Sequence, residues 1–262
     1  MAESTANVDT GYELVELYGG AMKVLIPKGF TNMGTPSGHL NDKPKFESIY
    51  PIPDNQEVFR STSTKTNIII ELVERLEPGS YTLPEEVVAQ LETSSDTNKE
   101  ELSAVLYHLH DMCTSNGDTY EILDLPKPYP VQLIPSPAYT CQALVTAKGK
   151  ISDTQRLLNM LSESTQQATS TSTSTSTGTA GTAGTTVTAP ITEHESTSTC
   201  HFFLVRLAQY GTDILVYINV PHDMLEESGV PGAVAQEEMR AHDIMANMMR
   251  SLGIIDYSLF GG

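Results

Sequence analysis

A stretch from Ser162 to Thr199, dominated by TSTSTSTGTAGTAGTTVT, divides the chain into two parts that must still share one core. Its side chains bury too little apolar surface to offset backbone ordering, about 1–2 kcal/mol per residue. It is therefore expected to be a disordered insert over 162–199, and the polar segment 1–12 a disordered tail. Without these two segments, roughly two hundred of the 262 residues remain, the size of one domain. The expectation is a single domain over 13–262 with the insert placed between two strands. Loop-closure entropy grows only logarithmically with length, so such an insertion is tolerated.

Glu13–Pro27 (ELVELYGGAMKVLIP) predicts two short strands around Gly19–Gly20, a pair suited to a tight turn. Lys28–Pro51, rich in Gly, Pro, Asn and Ser, reads as a loop. Strands follow at Gln56–Phe59 and Asn67–Val73, and the Ile68–Ile69–Ile70 run suits a strand buried on both faces. Thr82 and Glu85 form a capping box with a proline at the first helical position, ahead of Val87, Val88 and Leu91. A second capping box, Thr97 with Glu100, precedes Leu102, Val105, Leu106 and Leu109 at helical spacing. Further strands are expected at Tyr120–Leu125, Val131–Ile134 and Tyr139–Ile151, then a short helical piece at Thr154–Leu161. His201–Leu207 and Ile214–Val220 flank AQYGTD, a hairpin connection. The last helix carries the apolar stripe Ala241, Ile244, Met245, Met248 and Leu252 and stops at Gly253. Strand runs with helices segregated between them indicate an α+β domain rather than a βαβ array.

The formal charge is −18, from 33 acidic and 15 basic residues, which argues against nucleic acid or an anionic membrane surface as partner. It suits a basic protein partner, and solubility alone is the plainer reading of the same number. Cys113, Cys141 and Cys200 are widely spaced with no CxxC, as in a protein of the reducing cytosol or nucleus. Met1–Thr10 is polar and acidic and does not read as a signal peptide. No segment has the length of an apolar membrane span. These features read as those of a soluble intracellular protein.

Candidate chemistry is sparse. His108–Leu109–His110–Asp111 places its two histidines on different sides of a helix, so it reads as a polar flank rather than a chelate. Cys200 and His201, adjacent on a strand, face opposite sides and cannot readily share a metal, even with His194 nearby. There is no GxSxG, GxxxxGK[ST] or strand-borne GxGxxG, so neither covalent catalysis nor nucleotide binding is expected, and no cofactor. What remains is a group of acidic and amide residues near two adjacent strands: Asp54, Asn55, Gln56, Glu57, Glu71 and Glu74. Glu71 directly follows buried isoleucines, so it must lie at a strand end or be paired. Glu74, three residues on, faces the other side of an ideal strand, and the two converge only if the strand ends or bulges between them. Solvated strand-end charges are the plain alternative.

At these residues the sequence resembles the Ran guanine-nucleotide release factor family, the Mog-type nuclear import factors. The stretches that carry the resemblance are ELYGGA (Glu16–Ala21), IPDNQEVF (Ile52–Phe59), IIIELVE (Ile68–Glu74), VRLAQYGTDILVYINVP (Val205–Pro221) and LFG (Leu259–Gly261). They span most of the chain apart from the tail, the insert and the Lys28–Pro51 loop. The resemblance implies a PsbP-like α+β fold, an α/β/α sandwich with a central antiparallel sheet flanked by helices. It also implies binding to the small GTPase Ran, release of its nucleotide and support of nuclear protein import, without covalent catalysis. The implied Ran-binding set is Asp54, Gln56, Glu57, Glu71 and Glu74, on a monomer. An adaptor that binds Ran without accelerating exchange is the alternative.

Overall fold

The computed structural model describes residues 11–34, 52–94, 98–149 and 194–260. Tyr12–Leu17 (β1) and Met22–Pro27 (β2) form the expected hairpin, with Leu17 opposite Met22. A 3-10 turn at Tyr18–Gly20 joins them, and Gly19 and Gly20 sit at φ 65° and 95°, angles open to glycine and strained for other residues. Tyr18 adopts φ 50° as well, an uncommon angle for a side-chain-bearing residue.

A second sheet contains Phe30–Asn32 (β3), Gln56–Ser61 (β4), Asn67–Glu74 (β5), Thr119–Pro128 (β6), Ala138–Gly149 (β7), His194–Leu207 (β8) and Thr212–Pro221 (β9). Its order is β3-β4-β5-β9-β8-β7-β6, with every neighbouring pair antiparallel. The helices are Glu85–Glu92 (α1), Lys99–Asn116 (α2), His222–Glu227 (α3) and Ala233–Ser251 (α4). Gly253–Ile254 (β10) returns to pair with β2, completing a three-stranded sheet.

The faces of the seven-stranded sheet bury different layers. On one, Ile68, Ile70, Val205, Ile214, Val216 and Ile218 pack with Met22, Val24 and Ile26 of β2 and with Ala241, Ile244, Met245 and Met248 of α4. On the other, Leu102, Val105, Leu106 and Leu109 of α2 and Val87 and Leu91 of α1 cover Cys141, Cys200, Phe202 and Tyr217. Helices thus lie on both sides of a central antiparallel sheet, the α+β sandwich the resemblance implies. Alternation along β5 explains the triple isoleucine: Ile68 and Ile70 are fully buried toward α4, while Ile69 is partly buried under the opposite layer. Among the described residues no helix is long and apolar enough to cross a membrane.

Several expectations need correction. Strand β8 begins at His194, so the last residues assigned to the insert, His194–Thr199, belong to the sheet. Thr199 is buried and bonds His222, and Thr197 bonds Asp223 through both its amide and its hydroxyl. Gly149 faces His194 across the β7–β8 ladder, which is why a long connection fits there. Val131–Ile134 is not a strand: Pro130, Pro135 and Pro137 remove ladder donors around it, although Ile134 still enters the core. Within the supposed Lys28–Pro51 loop, β3 pairs with β4. The Thr82 capping box does not form. Pro84 occupies the cap position, because the residue before a proline disfavours helical angles and delays the start to Glu85. The expected tail over 1–12 ends too late, since Tyr12 already pairs in β1. Residues 1–10, 35–51, Thr97, Ile151, Thr154–Leu161 and the insert up to 193 lie outside the described residues.

Helix α4 is held to the sheet by a polar contact as well as by its apolar stripe. Glu238 accepts from His201 of β8 at 2.7 Å and from His222 of α3 at 3.1 Å. Burial opposes the Glu238 charge, but hydrogen bonds from His201, Thr199 and His222 outweigh it and hold its pKa down to about 2. A depressed carboxylate stabilises the fold above its unfolded pKa and stops doing so as pH falls through the folded value. Glu238→Gln is therefore expected to lower Tm at neutral pH, with the gap to wild type closing as pH drops from about 4.5 to about 2 in thermal melts.

Candidate functional site

The acidic and amide residues singled out from sequence lie around one end of β4 and β5, and the strand register divides them. Gln56 is directly opposite Glu71, and Glu57 is opposite Ile70. Cross-strand partners share a face, so Gln56 and Glu71 lie on the α1–α2 side, while Glu57 lies on the α4 side with Ile70. Strand β5 stays in regular register with β9 as far as Glu74 opposite Thr212, with no bulge. Glu71 and Glu74 therefore point to opposite faces, and the convergence of their side chains on one face does not occur.

Each carboxylate has a different local role. Glu71 Oε1 accepts from the Gln56 side-chain amide at 2.9 Å and from that of Asn55 at 3.3 Å. Glu57 is engaged internally: one oxygen accepts from the Tyr18 backbone amide at 2.9 Å, the other from Asn32 Nδ2 at 3.1 Å. It ties the first hairpin to the large sheet rather than presenting a free charge. Asp54 is exposed at the turn whose closure is the Gln56 amide to the Pro53 carbonyl, 2.9 Å. Glu74 is exposed at the end of β5. Neither Asp54 nor Glu74 is paired by a side-chain hydrogen bond or salt bridge among the described residues.

Tyr18 knits these segments together. Its hydroxyl donates to the Ile70 carbonyl at 2.8 Å and contacts the Asn55 carbonyl at 3.2 Å. Burial, then the nearby Glu57 and Glu71 carboxylates, push its hydroxyl pKa far up, so it remains a donor at any physiological pH. Asn55 in turn bonds the Leu72 carbonyl through its side chain, 3.0 Å, and accepts the Leu72 amide at 2.9 Å. Sequence periodicity could not find Tyr18, because its contacts cross 37–52 residues. Its one local signal is the Gly19–Gly20 pair that follows it.

The rest of this end is built from distant segments. Arg75 donates its amide to the Gly211 carbonyl at 2.8 Å, tying β5 to the β8–β9 turn. Tyr210 of that turn stacks on Tyr257 with centroids 5.0 Å apart. The Ile255 and Asp256 amides both donate to the Ala21 carbonyl, 2.8 and 3.1 Å. ELYGGA, PDNQE, IIIELVE, AQYGTD and Leu259–Phe260 thus meet at one end of the molecule.

Behind this end lies a buried charge network that the sequence did not reveal. Arg206 donates to Asp213 at 3.1 Å, to Glu101 at 2.8 Å and to the Leu76 carbonyl. Asp213, fully buried, also accepts from the Leu76 amide at 3.3 Å and pairs with His108 Nε2 at 3.0 Å. His108 is therefore not the polar flank its helix spacing suggested, but a buried partner of Asp213. The Cys113, Cys141 and Cys200 thiols are buried, and burial pushes all three pKa values up, which leaves them unreactive. Among the described residues no three His, Cys, Asp or Glu side chains converge as metal ligands.

Comparison with known proteins fits this architecture. A model of the Ran-interacting Mog1 protein family matches residues 15–221. The structure of the Saccharomyces cerevisiae Ran-binding protein Mog1p is 21% identical, with 95% of this chain and 98% of that one covered and a TM-score of 0.50. A mutant of the protein Mog1 is 20% identical, with 95% and 99% covered and the same TM-score of 0.50. These two likenesses speak to the fold. The solution structure of a PsbP from Synechocystis sp. PCC 6803 overlays more loosely, at 9% identity, coverage of 96% and 97%, and a TM-score of 0.42. No curated protein sequence matches the chain. Because the family match runs over well more than half of its length, the chain belongs to the Ran-interacting Mog1 family.

Proposed function

We propose that the chain binds the small GTPase Ran and promotes release of its guanine nucleotide, in support of nuclear protein import. The observation that carries this reading is the meeting of five sequence segments, from ELYGGA to Leu259–Phe260, at an end that leaves Asp54 and Glu74 exposed and unpaired among the described residues. A GTPase grips its nucleotide through a phosphate-binding lysine and a Mg²⁺ ion. A carboxylate offered by a partner competes for either, weakening the hold on the phosphates. Glu74 is the candidate on β5, since it is exposed at the strand end and its charge, like that of Asp54, is engaged by no described neighbour. Glu71, held by Gln56 and Asn55, presents an oriented carboxylate on the other face of the same strand end.

Nothing in this mechanism makes or breaks a covalent bond, so the chain itself needs no cofactor. A protein that drives release stabilises the nucleotide-free state of its partner. Immobilised on beads, the chain is expected to retain Ran stripped of nucleotide more strongly than Ran loaded with GDP or GTP. Equal retention of all three forms would favour an adaptor over a release factor.

A further inference from the structure

The end of the sheet that carries Glu74 also holds an aromatic cluster to which the charge argument assigns no role. Tyr210, from the β8–β9 turn, stacks on Tyr257 with rings 5.0 Å apart and 26° from parallel. Phe260 lies 6.0 Å from Tyr210 and 6.3 Å from Tyr257, and is itself buried, so it anchors two rings that are only partly covered. Leu259, in the same 3-10 segment Tyr257–Phe260, is 40% exposed. Tyr210 is two residues from Thr212, the cross-strand partner of Glu74. Register places Glu74 on the α4 side of the sheet, where Leu72, Tyr210 and Tyr257 pack against the core edge.

Acidic groups border these rings. Asp256, immediately before Tyr257, accepts the Ser258 amide at 2.9 Å, and that bond holds its carboxyl below the usual range, keeping it charged. Tyrosines restrained by stacking lose little rotamer freedom when a partner covers them, and they offer both an apolar face and a polar tip. A centre of such rings bordered by charges is the common layout of a protein docking site. The chemistry favours a lysine- or arginine-bearing surface, since a cation gains from the ring faces and from the carboxylates together. A second copy of this chain would instead bring like charges together.

Resting on the Ran reading above, we propose that Tyr210, Tyr257 and Leu259 form the apolar centre of the Ran-docking face, with Glu74 and Asp256 as its charged border. The test is equilibrium and kinetic binding of nucleotide-free Ran to the full chain and to four variants. Tyr210→Ala and Tyr257→Ala are expected to weaken binding at least tenfold, mainly through faster dissociation. Leu259→Ser is expected to weaken it several-fold. Val230→Ser, an exposed site between α3 and α4 near the opposite end of β5, leaves it unchanged. Because the tyrosines also support the core edge, Tm is recorded alongside for every variant, and Leu259→Ser tests the face at a side chain outside the buried core. Wild-type affinity in both Tyr257→Ala and Leu259→Ser, with the wild-type chain binding Ran, overturns the docking centre alone. Absence of binding by the wild-type chain overturns the Ran reading and this inference with it.

Discussion

Asp213→Ala should destabilise the protein by about 3–5 kcal/mol, the usual effect of removing one member of a buried ion pair. Asp213 is fully buried and Arg206 nearly so, and Arg206 loses its fully buried counter-charge while His108 loses its partner. Glu101 still holds Arg206 on one side, which keeps the effect within that range. For a domain of this size Tm falls by about 6–20 °C. Asp213→Asn keeps the shape and some hydrogen bonds, so it should lose less. Replacing Arg206 and Asp213 together by Met and Leu should recover part of the loss, because no unpaired charge then remains between them. Thermal unfolding of the three variants checks the order. The network also fixes Leu76 through both its amide and its carbonyl, two residues beyond Glu74.

Glu74→Lys should weaken Ran binding by about ten- to a hundredfold, or about 1.4–2.8 kcal/mol, and leave folding unchanged. The side chain is exposed and bonded to no described neighbour, so reversal removes an attraction, adds a repulsion and breaks no internal contact. Glu71→Lys is a less clean test. It removes the acceptor of Gln56 and Asn55 and puts a lysine against two amides, so some of its effect comes from the local turn. Titration of Ran with each variant, alongside thermal melts, separates lost charge from lost structure. Association of the wild-type chain should slow as salt rises, and that slope should flatten in Glu74→Lys.

The apolar skeleton was legible in the sequence because it is periodic. The isoleucine run of β5, the α2 face from Leu102 to Leu109 and the α4 stripe all occupy the core positions their spacing requires. The start of β8 was not, because His194–Thr199 shares the composition of the low-complexity stretch before it. Its strand character comes from pairing with β7, joined by β9 from Ser198 onward. The polar contacts were illegible for a related reason: His108 meets Asp213 across 105 residues, and no local pattern marks the pair. Of the candidate site, the sequence named residues near one strand end but not their arrangement. Glu57 stood in the same candidate set as Glu74, yet it is enclosed by Tyr18 and Asn32. Glu71 and Glu74 failed to converge because β9 keeps β5 straight to its last residue.

The central claim is that this acidic end loosens nucleotide from Ran, and release of a fluorescent guanine nucleotide from preloaded Ran tests it most directly. The wild-type chain is expected to accelerate release in proportion to its concentration until binding saturates, and Glu74→Lys to accelerate it far less at the same concentration. A release rate unchanged by wild-type chain at concentrations that saturate Ran would contradict the claim, and equal acceleration by wild type and Glu74→Lys would remove Glu74 from it.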